Sequence, residues 1–152
     1  MIGTSDEITT LNTLTTTLID SVNGYRDAAS NSESGRFQEL FRTNADERSR
    51  VVEELRAEVR RLGGTPEDDA TMLGQAHPRG RDLTAAITGR DDKAIVNEVE
   101  RGEDYLKGKF TAALNSGHLS GESRAVVERA YQSVLKGHDQ VSAIKHGLEA
   151  SA

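Results

Sequence analysis

The side chains of this sequence best placed to do chemistry are one carboxylate and one guanidinium, each set inside an apolar helical stripe. Around the stretch Val99-Glu100-Arg101-Gly102-Glu103-Asp104-Tyr105, the positions Val96, Val99, Glu103, Leu106, Phe110 and Ala113 share one face by the 3-and-4 spacing of a helix. Glu103 is thereby placed among core residues. A carboxylate in that position needs a partner, and the candidates are metal ions, a cationic side chain, or water at a helix edge. Arg48 poses the complementary question, because it occupies the central turn of a stripe made by Phe41, Ala45, Val52, Leu55, Val59 and Leu62. Its planar fork can hold a carboxylate through two parallel hydrogen bonds.

The expected arrangement is therefore a buried polar network in which Arg48 pairs with Glu103 and His138 or Tyr25 completes the set, with no cofactor. Two alternatives stay open. Arg48 and Glu103 could lie at the stripe edges and reach water along their aliphatic stems. Otherwise a single ion, iron or manganese, could be held by Glu103 and His138 together with Asp104 or Tyr131, although a histidine flanking an apolar seam is more often structural. The other histidines carry weaker signals: His77 precedes Pro78, His118 sits in a glycine-containing turn, and His146 is near the end of the sequence. Gly63-Gly64 is not followed by the Lys-Ser/Thr of a phosphate loop, and no Gly-x-Ser-x-Gly nucleophile motif occurs.

Composition narrows the classes further. The 152 residues suit one domain, 1–152, with a core that needs no staples. There is no cysteine, which excludes disulfides, thiolate metal sites and thiol redox chemistry. With 25 acidic against 19 basic residues and a net charge of -6, the basic footprint of a nucleic-acid binder is missing. The arginines from Arg42 to Arg61 alternate with Asp46, Glu47, Glu53, Glu54 and Glu58, which reads as a solvated helix face. No apolar run approaches the roughly 20 residues of a membrane span, and the N-terminus lacks the order of a signal peptide. A cytoplasmic protein is expected. With no Trp and only three Phe and three Tyr, the core must be aliphatic and alanine-rich, as close-packed helices allow.

The elements that must position these groups are four long helices. Ile8, Leu11, Leu18, Val22, Tyr25 and Ala29 mark the first, about 6–30, whose many threonines leave packing rather than propensity to hold it. A turn at 31–34 leads to the second, about 35–62, which Gly63-Gly64-Thr65-Pro66 ends. The third, about 91–114, opens on Asp91-Asp92 at the positive end of its dipole. Val127, Ala130, Val134, Gly137, Val141, Ile144 and Leu148 mark the fourth, about 121–147, expected to fray near Gly147. Residues 63–90 form a long crossover, read as one or two short helices broken near Pro78, which can span a helix length. The fold class is all-α, a four-helix bundle of the ferritin-like type.

Several segments carry a family resemblance across most of the chain. They are Asp20-Ser21-Val22-Asn23-Gly24-Tyr25-Arg26-Asp27-Ala28-Ala29, Glu54 to Gly64, Leu83-Thr84-Ala85-Ala86-Ile87-Thr88-Gly89, Glu100-Arg101-Gly102-Glu103-Asp104, and Gly137-His138-Asp139. Together they resemble the small bacterial ferritin-like bundles of unknown function. More distantly, Gly102-Glu103-Asp104-Tyr105 is similar to the metal-binding turn of rubrerythrin-like proteins. That likeness implies a fold and tests a di-metal site, which needs a Glu from each of two helices and a Glu-x-x-His from each of the other two. No Glu-x-x-His occurs here. Matched to the distant pattern, Val22 falls at the first-helix Glu, Arg48 and Val51 at the second-helix Glu and His, and Leu135 at the fourth-helix Glu. Only Glu103 and His138 remain.

The resemblance and the missing ligands together lead to one expectation, a non-catalytic bundle with a degenerate di-metal site. Its role would be an interaction or stress-associated structural one, as a homodimer or with another protein. The alternative is a metal-dependent oxidoreductase or metal-storage protein with an atypical site around Glu103 and His138. A third class, a binder of a small apolar ligand, would need a cavity near the small residues Gly102, Gly108, Ala130 and Gly137.

Overall fold

The structure, a computed structural model, describes residues 4–67 and 91–150. Four helices account for nearly all of them: α1 (Thr4–Asn31), α2 (Gly35–Arg61), α3 (Asp92–Asn115) and α4 (Gly121–Ala150). No strand occurs among the described residues, and no described helix is long and apolar enough to cross a membrane. The expected short helices of the crossover fall on 68–90 and lie outside the described residues.

Local chemistry explains several of these boundaries and the long run of threonines in α1. The threonines of α1 return their hydroxyls to the preceding turn, as Thr15 does to the Leu11 carbonyl at 2.7 Å and Thr13 to that of Thr9 at 2.9 Å. Their polar atoms are thus satisfied within the helix, and Thr15 can be fully buried. Ser34 caps α2 by accepting from the Phe37 N–H. At the other end Gly63, at φ 86°, takes the left-handed conformation, and the Gly64 and Gly63 N–H groups bond back to the carbonyls of Val59 and Arg60. That is the Schellman closure the glycine pair predicts. Asp91 caps α3 through the Ala94 N–H at 2.9 Å. Helix α4 runs to Ala150 rather than fraying at Gly147, because Ile144 and Leu148 still pack on the core.

The helices pack α1 against α2 and α3, and α4 against α3 and α2, leaving α2 and α3 on a diagonal. The Asp92 carboxylate accepts the Glu33 and Ser34 N–H groups at 2.8 and 3.0 Å, so α3 starts beside the α1–α2 turn. Hence α2 and α3 run parallel, and the end of α2 lies a helix length from the start of α3. For the 27 residues of α2 that is about 40 Å. Beyond α2 the chain lies against α1, where Asn12 donates to the Thr65 carbonyl and accepts from the Glu67 N–H, each at 3.2 Å. Leu11, Leu18, Phe41, Leu55, Ile95, Phe110 and Val134 fill the centre, all 0 % exposed.

Candidate functional site

Halfway along the bundle the apolar core is interrupted by one charged pair. The Arg48 guanidinium from α2 donates to Glu103 of α3 through Nη1–Oε1 at 2.6 Å and Nη2–Oε2 at 3.0 Å. Both side chains are buried, at 3 % and 2 % exposure, so neither reaches solvent from a stripe edge. Nη1 also donates to Ser21 Oγ of α1 at 2.7 Å, and the guanidinium lies 5.3 Å from the Tyr25 ring centroid in a cation–π contact. Burial alone would depress the arginine pKa, but Glu103 outweighs it and holds the guanidinium more firmly charged. Burial and Glu103 push the Tyr25 phenol upward against the opposing pull of Arg48. It stays neutral.

The fourth helix contributes by what it omits. A Cβ on Gly137 would stand 2.5 Å from Arg48 Nη2, 3.3 Å from Glu103 Oε2 and 3.6 Å from the Tyr25 hydroxyl. The backbone of α4 therefore closes over the pair only because residue 137 has no side chain. Gly102 and Gly108, by contrast, are half-buried and exposed, with nothing within 4 Å of an added Cβ, so neither is a point of close helix approach within the bundle.

His138 stands apart from this centre, although it follows Gly137 in sequence. Its Nε2 meets Asp104 Oδ1 at 2.6 Å across the α3–α4 seam, with Asp139 Oδ1 3.4 Å from Nδ1. Burial lowers its pKa, yet the two carboxylates prevail and the net shift is upward. Tyr131 is elsewhere again, stacked on Phe110 at 6.1 Å between centroids and 3.4 Å from Thr111 Oγ1. The structure thus joins Arg48, Glu103 and Tyr25, and separates His138 and Tyr131 from them.

A second polar cluster went unread in the sequence. Glu58, placed there among solvated acids, is only 4 % exposed, and accepts from Arg61 at 2.7 and 2.5 Å and from Ser123 of α4 at 2.6 Å. Arg61 holds its carboxyl below the usual range despite burial. Glu7, also buried, accepts from Ser120 at 3.0 Å. The signal was available: Val51, Leu55, Glu58 and Leu62 recur at seam spacing.

These residues do not fit a metal centre. Both Glu103 oxygens face the guanidinium, which would repel a cation, and Val22 and Val51 are buried aliphatics that offer no ligand. Among the described residues no group of three or more His, Asp or Glu side chains is placed to hold an ion. The candidate set Glu103, His138, Asp104 and Tyr131 is divided among three separate contacts. What the centre can do chemically is fix helix order and register by a directional, desolvated ion pair.

Comparison with known proteins accords with this architecture. The structure is similar to "X-ray structure of Dps from Thermosynechococcus elongatus", with a TM-score of 0.69 at 13 % identity, covering 92 % of this chain and 90 % of that one. At that identity the likeness shows the fold, which is ferritin-like. No curated protein matches the chain. A family model described as Domain of unknown function (DUF2383) matches residues 6–116, which include both members of the central ion pair, and the chain belongs to that family.

Proposed function

We propose that this chain is a non-catalytic, cytoplasmic member of the ferritin-like bundles, with an interaction or stress-associated structural role, in which a fixed internal cation stands where relatives of the fold would place metal charge. One observation carries the reading: Arg48 spans both oxygens of Glu103 at 2.6 and 3.0 Å in the middle of the core. Both oxygens of that carboxylate already accept from a guanidinium, whose fixed positive charge beside them would repel a divalent ion. With the reactive position closed, the outer faces of the helices remain for work, through contacts with another protein or a second copy of the chain.

Elemental analysis tests this. Untagged protein is purified without chelator and assayed before and after incubation with iron, manganese and zinc. Metal well below one ion per chain throughout is the expected result. About two tightly held ions per chain, the stoichiometry of a carboxylate-bridged site, would overturn it.

A further inference from the structure

Helix α3 carries on its outward side a feature that the bundle itself does not use. Among the described residues, Tyr105 is the one large apolar side chain that is exposed, at 38 %. Gly102 and Gly108 lie three residues to either side of it, on the oblique row that forms a ridge of a helix surface. Glycine weakens a helix interior, and with nothing within 4 Å of an added Cβ, no neighbour in this chain requires its small size at either position. The row is therefore a knob with a notch on each side. Charge divides at the same point. Half-buried Glu98 and exposed Asp104 precede Tyr105, with Arg101 3.5 Å from Glu98. From Tyr105 to Asn115 the only charged residues are Lys107 and Lys109, and the Lys109 Nζ lies 5.4 Å from the Tyr105 ring centroid.

We propose that two copies of the chain pair through α3, antiparallel, with Tyr105 of each seated against Gly108 of the other. This rests on the reading that the outer helix faces carry the protein's contacts, and it names the occupant of one face as a second copy. The shape selects that occupant, because a knob beside a notch becomes its own complement after a half-turn, as an isologous pair requires. The charges select the direction. An antiparallel copy brings the Lys107–Lys109 half toward the half that holds Glu98 and Asp104, whereas a parallel copy would set lysine against lysine. Tyrosine is also a side chain on which interfaces commonly anchor, since it covers a large area with little rotamer freedom to lose.

Sedimentation equilibrium of the full chain, at low and high salt, tests the pairing. The expected result is a monomer–dimer equilibrium whose dissociation constant rises with salt, and rises by at least about tenfold in G108Q and in Y105A. G108Q fills the notch from outside and replaces glycine by a better helix former. At a dilution where the wild type is monomeric, its melting temperature should therefore equal or exceed the wild-type value, which separates a lost interface from a lost fold. A wild type that stays monomeric at every concentration reached would overturn the proposal and leave the face to a different protein. That outcome would not touch the metal-free reading, which elemental analysis decides. A dimer unchanged by both variants would also overturn it, by placing the interface elsewhere.

Discussion

Arg48 and Glu103 meet across the diagonal of the bundle, joining by paired hydrogen bonds of 2.6 and 3.0 Å two helices that do not otherwise pack as neighbours. Removing one partner leaves the other charged and without a counter-ion in a desolvated core. R48L is expected to lower unfolding free energy by about 3–5 kcal/mol, while R48L/E103L recovers most of the loss, because a buried pair contributes little net stability over an apolar substitute. Urea denaturation of the three proteins measures both. An R48L protein as stable as wild type would contradict the buried pair.

Gly137 gives a substitution whose sign depends on residue 48. In wild type, G137A drives a methyl to 2.5 Å from Arg48 Nη2 and is expected to destabilise by about 1–3 kcal/mol through overpacking. With Arg48 and Glu103 both replaced by leucine the guanidinium is gone, and the exchange of glycine for alanine inside a helix should be neutral or favourable by up to about 1 kcal/mol. Thermal melts of the resulting double-mutant cycle read the difference. Equal effects in both backgrounds would show that α4 does not rest on the ion pair.

The His138–Asp104 contact sets a pH dependence. Because the folded-state imidazole pKa is raised above its usual value, near 6.5, its stabilising contribution is full below that value and fades as pH rises through the folded pKa. Asp104 is largely exposed, so the amplitude should not exceed about 1 kcal/mol. Melting temperatures of wild type and D104N, compared from pH 5 to pH 9, should converge at the alkaline end. Parallel curves would remove the linkage.

Glu58 works in the opposite sense. Arg61 and Ser123 favour its ionised form, so its contribution is present above the unfolded carboxylate pKa, about 4.3, and is lost as pH falls through the lowered folded value. S123A removes one donor and should destabilise by about 1 kcal/mol at neutral pH. That deficit should shrink in acid. Denaturation of S123A and wild type at pH 7 and pH 3 checks both the size and the direction.

Much of this was open to reading before any coordinates. The four helices followed from apolar spacing and from the glycine and aspartate signals at their ends. Glu103 lay on its helix's core face because 99, 103, 106 and 110 share a side, and Arg48 likewise among 41, 45, 52 and 55. Pairing is another matter, since periodicity along one helix is silent about what the opposite helix presents. His138 shows the limit: one residue past Gly137 turns its side chain by about 100°, away from the centre and into the α3–α4 seam. The purpose of Gly137 was equally hidden, because the atoms that forbid a Cβ belong to α2 and α3. Glu58 was misread for a different reason. Its many charged neighbours masked a seam spacing that was present.

The polar centre also acts as a code for partnership between the two halves of the chain. The α1–α2 hairpin carries the cation and the α3–α4 hairpin the anion. Two copies of the first hairpin pressed face to face would bring guanidinium against guanidinium in a place without water, and two copies of the second would oppose carboxylates. Each like-charged union is penalised more heavily than the correct one is rewarded. A first hairpin, made before the second has emerged, is thereby steered away from a like copy of itself and toward a hairpin that carries the carboxylate.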